Sequence, residues 1–257
     1  MVFIERLVDV NRLKRIVVKV GSNTITSNTG LDIGLIDDCA RQIVALRQEY
    51  KIQTVVFSSG AVRSGYLLER SLDKDDVLDA QVAAIFGQPT LISSWVTAFA
   101  KYGEKAGQVL YKDDDLEGAR RPLLRALEIG TVIGNGNDAV FDREIIALMQ
   151  KRASDNDLLS TDVAIVIGAD LFISLTSAPG VIDPQDKVIP LIRSDERVMI
   201  KQMEKTTEGT GGIDPKVLSL QGFTRYTGNI GVIADGRIPN IIWDLAHGIR
   251  LGTWFVK

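Results

Sequence analysis

The chain has 257 residues, 30 Lys plus Arg against 33 Asp plus Glu, a net charge of −3, and a composition 45% hydrophobic and 25% charged. That length allows one large domain or two lobes with a sizeable core, and the mix fits neither a disordered nor a collagen-like chain. The small negative net charge offers polyanions little non-specific attraction, which argues against a nucleic-acid partner.

The opening segment MVFIERLVDVNRLKR lacks the apolar core and small-residue cleavage site of an export signal. Arg15 to Val20, a β-branched run, reads as a first strand that stops at Gly21-Ser22-Asn23, residues that favour turns and helix caps. An amphipathic helix is expected from about Ile33 to Tyr50, with Cys39 on the apolar face of Ile33, Ile36, Ile43 and Leu46. As the only cysteine, Cys39 excludes an internal disulfide and reads as a buried structural thiol, with a reducing cytoplasm as the expected compartment. Thr54 to Phe57 is a second strand, ending in Ser58-Ser59-Gly60-Ala61, and Glu69 to Asp79 reads as solvated surface.

The run AAIFGQPTLISSWVTAFAKY is apolar enough for the core or an interface, yet no apolar stretch approaches the ~18 residues of a membrane span. Gln108 to Leu110 and Thr131 to Ile133 are further strands, the second followed by a polar turn, Gly134-Asn135-Gly136-Asn137-Asp138. Ser154-Asp155-Asn156-Asp157 opens a helical run, and two aspartates flanking an asparagine exceed what a cap requires. Leu171 to Leu175, Asn229 to Ile233 and Thr253 to Val256 complete the strands, while Asp183 to Gly212 changes to a charged, glycine-ending texture that suggests a second lobe. The single histidine, His247, lies where a helix-like run meets Gly248, a position favourable to the helix dipole. Trp95, Trp243 and Trp254 are expected as core or interface anchors.

Strands alternating with helices argue for an α/β fold with a mostly parallel sheet, in which ligands bind beyond the carboxyl ends of the strands. Small or polar residues follow three of those strands. The two glycine-rich nucleotide signatures, G-x-x-x-x-G-K-[ST] and G-x-G-x-x-G after a strand, are absent, and one histidine with one cysteine supplies no zinc site. Parts suited to phosphate remain. Lys19 and Lys216 each stand beside a glycine-containing turn, where backbone N–H groups and a cation suit phosphate oxygens. Asp155, Asn156 and Asp157, with Asp138 upstream, suit orienting lysines, meeting an ammonium, or holding a metal through water.

The ordered segments VVKVGSNT, FSSGAVRSG, AAIFGQPTLIS, GNGNDAV, SDNDLLS, GTGGIDPK and GIRLGTWF resemble the amino acid kinases, in particular the branch that phosphorylates L-glutamate at the head of proline biosynthesis. The resemblance covers nearly the whole chain. It implies a three-layer αβα sandwich, a single domain over residues 1–257, with an amino-acid-binding lobe to about residue 175 and a nucleotide-binding lobe over about 176–257. It implies that Lys19 and Lys216 neutralise a migrating phosphoryl group and that Asp157 orients them. Ser59, Asp138 and Asn156 match substrate-binding positions, with Asn135 and Asp155 close by. Lys19, Gly21, Ser22, Thr176, Ser177 and the loop Thr210-Gly211-Gly212-Ile213-Asp214-Pro215-Lys216 match nucleotide-binding segments. ATP and Mg²⁺ are the implied cofactors, and no dedicated metal site is expected. A homo-oligomer, feedback inhibition by proline, coupling to a reductase that consumes the acyl phosphate, and no membrane partner are also implied.

The chain departs from the family at three places. Asn135-Gly136-Asn137-Asp138 replaces the usual Asn-Glu-Asn-Asp, Thr176-Ser177 replaces Thr-Asp ahead of a divergent Ala178-to-Ile182 segment, and no C-terminal PUA domain is expected. Two alternatives therefore stay open at this level. One is a kinase of the same fold acting on an N-acetylated amino acid, a carbamate or a phosphonate; the other is a silent regulator that binds an amino acid or nucleotide.

Overall fold

A computed structural model describes residues 7–27, 29–111, 116–140, 155–201 and 215–257. After a short 3₁₀ turn the elements run β1 (Arg15–Val20), α1 (Ser22–Ile25), α2 (Ile33–Tyr50), β2 (Gln53–Ser58), α3 (Ala61–Leu68), α4 (Val77–Lys101), β3 (Ala106–Tyr111), α5 (Leu116–Ile129) and β4 (Thr131–Gly136). There follow α6 (Asp155–Ile167), β5 (Leu171–Thr176), β6 (Leu191–Arg193), α7 (Pro215–Thr227), β7 (Ile230–Asp235), α8 (Ile241–Ala246) and β8 (Thr253–Val256).

The strands form one sheet in the order β3-β4-β2-β1-β5-β7-β8-β6. Every neighbouring pair is parallel except β7 with β8. From β1 the chain places β2 beside it, then β3 at the sheet edge and β4 between them, and returns to place β5 on the other side of β1, so a topological switch point lies between β2, β1 and β5.

Alternation along β1 decides what each face carries. Ile16, Val18 and Val20 join the core under α2, α4 and α8, with Ile43, Trp95 and Leu245. Val17 joins the core under α5, α6 and α7, with Leu127, Val163 and Phe223. Helices thus cover both faces, the three-layer αβα sandwich expected. The same period of two turns Lys19 toward the α6 layer.

Local chemistry explains the element ends. Asp32 caps α2 by accepting the Leu35 N–H at 2.9 Å, and Lys51 closes it in the left-handed region at φ 61°. Asp76 caps α4 in the same way, through the Asp79 N–H. Residues 69–76 ahead of it form the solvated connection read from their charges.

Helix α4 corrects the sequence reading on one point. By length and composition it is apolar enough to cross a membrane. In the fold it lies against the sheet, with Ala80, Ala84, Gly87, Leu91, Trp95 and Phe99 buried along one stripe, while Leu78, Ile85 and Phe86 are exposed. Helices α3 and α4 cross at two glycines. A Cβ on Gly65 would stand 1.8 Å from the Ala83 carbonyl oxygen, and one on Gly87 would stand 1.9 Å from that of Ala61. No other residue permits that approach, which sets α3 over the end of β2.

Cys39 is buried in α2, and burial pushes its thiol up to about 12. Trp95 and Trp254 are fully buried, and Trp243 packs partly buried against the core beside Tyr50 and His247. His247 ends α8, with Nδ1 at 2.8 Å from the Trp243 carbonyl oxygen and Nε2 at 3.1 Å from the Tyr50 hydroxyl.

Candidate active site

The carboxyl ends of β1, β2, β4 and β5 converge at the switch point, and each delivers residues singled out from the sequence. From β1 comes Lys19, whose Nζ donates to Asp157 Oδ1 at 2.6 Å; both side chains are only 4% exposed. Lys216, in the first turn of α7, lies 3.5 Å from Asp157 Oδ2 and is 34% exposed. Two cations therefore share one buried carboxylate. Burial works to raise the Asp157 pKa, but the charges of Lys19 and then Lys216 outweigh it and hold the carboxyl below its ordinary value.

Backbone and hydroxyl contacts fix this cluster. The Asp157 carbonyl accepts from Ser219 Oγ at 2.7 Å and from Thr161 Oγ1 at 2.9 Å, and the two hydroxyls also contact each other. Ser219 stands on α7, so the bond ties the helix of Lys216 to the helix of Asp157. Pro215 opens α7, where its missing N–H would have had no helical partner. At the end of β1, Gly21 precedes the single-turn α1 without a side-chain cap, and a Cβ there would lie 4.0 Å from Lys19 Nζ.

Beside the cluster is a cavity of about 420 Å³ lined by Ser22, Ser27, Ser59, Gly60, Val62, Arg63, Tyr66, Leu67, Lys74, Asp138 and Asn156. The fold thus brings Ser22, Ser59, Asp138 and Asn156 to one space, and Asn156 is the chain neighbour of Asp157. The Gly136 N–H donates to Asn156 Oδ1 at 3.3 Å. Gly136 itself is the last residue of β4, not part of a turn: the strand runs past Ile133 and takes Gly134, Asn135 and Gly136 with it, paired to β3. A Cβ on Gly136 would meet Asn156 Oδ1 at 3.2 Å and Asp138 Oδ1 at 3.3 Å, so these two acceptors crowd the same point.

Asn135 stands apart from that lining. Its Nδ2 donates to Gln88 of α4 at 2.9 Å, and its buried Oδ1 accepts no hydrogen bond among the described residues. Asp155 opens α6. Thr176 ends β5, where its Oγ1 donates to the Ala178 carbonyl at 3.0 Å and accepts from the Ala178 N–H at 3.1 Å. The next carbonyl, of Ser177, accepts from Arg237 at 2.6 Å, and Arg237 also holds Asp235 at the end of β7. Arg237 pulls the Asp235 pKa below its usual value. Thr210, Gly211, Gly212, Ile213 and Asp214 lie outside the described residues.

Sequence reasoning missed Arg63, Tyr66, Leu67 and Lys74 in the cavity wall, and Asp235 and Arg237 beside the β5 end. The signal for the first group was present in GAVRSGY, since a helix starting at the Ser59-Gly60 turn carries its first side chains over that turn. No group of three His, Cys, Asp or Glu that could hold a metal occurs among the described residues.

A lysine pair about one buried carboxylate thus stands at the carboxyl ends of parallel strands, beside a polar cavity. The chain belongs to the amino acid kinase family, whose model matches residues 14–221. It is 36% identical to a glutamate 5-kinase of Thermus thermophilus over 94% of this chain and 67% of that protein. Glutamate 5-kinases of Syntrophus aciditrophicus, at 32% identity over 95% of this chain, and Syntrophotalea carbinolica, at 36% over 96%, are similarly related. The chain spans about two thirds of the length of these relatives, 66% and 68% in the latter two. Among solved structures the fold is similar to UMP kinase from Bacillus anthracis, with TM-score 0.61 and 14% identity over 95% of this chain and 96% of that one. A carbamate kinase from Giardia lamblia superposes with TM-score 0.62 and 16% identity over 96% and 99%.

Proposed function

We propose that this protein transfers the γ-phosphoryl group of ATP to the side-chain carboxylate of L-glutamate, giving ADP and glutamyl 5-phosphate, the first step of proline biosynthesis. The observation that carries this reading is the Lys19–Asp157–Lys216 cluster abutting the cavity of Ser59, Asp138 and Asn156. The glutamate 5-kinase relatives support the choice of acceptor.

The chemistry asks little of acid–base groups. A glutamate side chain, with a reference pKa of about 4.3, is already ionised at neutral pH. Its carboxylate oxygen forms the new bond to the γ-phosphorus as the bond from that phosphorus to the bridging oxygen breaks, and ADP carries the electron pair away. No proton has to move. Catalysis then lies in positioning and charge neutralisation. Lys19, pinned by Asp157, and Lys216, more open, would flank the migrating group from the β1 and α7 sides.

Mg²⁺ fits this donor set only as a passenger on the nucleotide. It commonly keeps several waters and binds through substrate phosphates, and no acidic cage stands among the described residues. When bound it supplies neutralisation of phosphate charge. Thr176 and Ser177, with the loop from Thr210 to Lys216, would hold the nucleotide in a lobe after about residue 175, and Gly21 and Ser22 would reach it from the amino-acid lobe, Ser22 where it also lines the cavity. Arg237 joins that edge through its bond to the Ser177 carbonyl, and Asp235 through its bond to Arg237.

The exposed Leu78, Ile85 and Phe86 on α4 support assembly with a second copy. Feedback inhibition by proline, a reductase consuming the acyl phosphate and a cytoplasmic setting accompany the reading. It is tested by trapping the acyl phosphate with hydroxylamine under ATP and Mg²⁺, with L-glutamate, N-acetylglutamate and aspartate side by side. A glutamate-dependent hydroxamate that disappears in Lys216→Ala is expected. Hydroxamate from N-acetylglutamate alone would move the substrate and keep the phosphoryl chemistry.

A further inference from the structure

Among the described residues the cavity wall contains two cations and one carboxylate, and they come from different elements: Arg63 from α3, Lys74 from the loop after it, and Asp138 from the turn after β4. Asp138 Oδ1 and Asn156 Oδ1 both crowd Gly136 and together make an acceptor corner suited to an ammonium group. The end next to Asn156 adjoins the Lys19–Asp157–Lys216 cluster and suits the reacting carboxylate.

What is left is a donor-rich wall. The Ser59 hydroxyl, in a side chain more than nine-tenths buried, lines the cavity and has no hydrogen-bond partner among the described residues. Gly60, at φ +118°, turns the chain directly into α3 without a side-chain cap, leaving the first-turn N–H groups for another acceptor. Arg63 sits on that first turn. Its Nη1 donates to Asn23 Oδ1 at 3.2 Å and its Nη2 to the Ser27 carbonyl at 3.5 Å, which fixes the guanidinium at the cavity edge with donors to spare.

We propose that Arg63 is a specificity-determining residue that binds the α-carboxylate of the substrate and so selects a free, charged amino acid over derivatives without that charge. This rests on the reading of L-glutamate as substrate. A guanidinium fork matches a carboxylate bidentately, and the uncapped turn of α3 and the Ser59 hydroxyl add donors to the same group.

The experiment compares L-glutamate with its α-amide, which keeps the ammonium and side-chain carboxylate but lacks the α-charge, by steady-state kinetics and by calorimetric binding without turnover. Arg63→Gln is expected to raise KM and Kd for glutamate about 10- to 100-fold with kcat nearly unchanged, and to leave the α-amide unaffected. Arg63→Lys, which retains the charge without the fork, should recover part of the loss. Asn23→Ala, which breaks only the bond holding the arginine to α1, should keep the preference for glutamate. Equal losses for both ligands in Arg63→Gln, or the same loss in Asn23→Ala, would overturn the proposal and assign Arg63 to holding the loop. Failure of the wild type to turn over glutamate while binding it more tightly than the α-amide would remove the kinase substrate and leave the Arg63 assignment standing. Equal binding of the two by the wild type would remove the assignment.

Discussion

The ionic cluster and the cavity beside it are built on opposite terms. In the cluster every charge is matched at close range: Lys19 and Asp157 are buried at 2.6 Å, with Lys216 at 3.5 Å. In the cavity wall Ser59 has an unspent hydroxyl, α3 an uncapped first turn, and Lys74 only the Tyr66 ring, 6.0 Å away, as a partner among the described residues. Under the proposed reaction, the site that would bear the same charge change in every cycle is held from within the protein, while the site proposed to tell ligands apart keeps donors for the ligand to complete.

The sharpest way to break the comparison is Asp157→Ala. It strands Lys19 without its partner in a buried position, so a loss of about 3–5 kcal/mol in urea denaturation is expected together with loss of turnover. Lys216→Ala separates stability from chemistry. Its side chain is 34% exposed, so the melting temperature should hardly move, while kcat falls about 10²- to 10³-fold with little change in the glutamate KM.

Acid sharpens it next. The folded-state pKa of Asp157 is held below its ordinary value, so its stabilisation is fully present above the unfolded pKa of about 3.9 and disappears as pH falls through the folded value. The stability gap between wild type and Asp157→Ala should therefore stay level from pH 8 to about 5 and close only well below pH 4. Urea midpoints across that range measure it. The smallest effect belongs to Lys74→Ala. As an exposed rim charge, Lys74 should change the glutamate KM by less than about fivefold, and added salt should erase the difference.

Much of the fold was legible because strands buried on both faces announce themselves. Arg15–Val20 and Thr253–Val256 stand in the structure with the boundaries read from their β-branched and aromatic runs, and Ile33–Tyr50 with those of its amphipathic period. Leu191–Arg193 escaped notice, being three residues at the sheet edge with two of them exposed, too short to show a period. Helix α4 was underread for the converse reason. Its apolar residues go right round, and only packing against α2 and α3 separates the stripe holding Trp95 from the face holding Phe86.

The sequence by itself determined which chemistry was available: one histidine and one cysteine, lysines beside glycine turns, and acids ahead of a helix. Local propensity and composition act over a few residues, so these features survive being read in one dimension. The tertiary structure alone shows how Lys19 reaches Asp157, 138 residues away, a pairing the resemblance had implied, and only it decided that Arg63 shares a cavity with Asp138. The first follows from the pleat of β1 facing α6 at a switch in strand order. The second follows from two glycines that let α3 press against α4 over the end of β2. Neither long-range approach leaves a periodic trace in the chain.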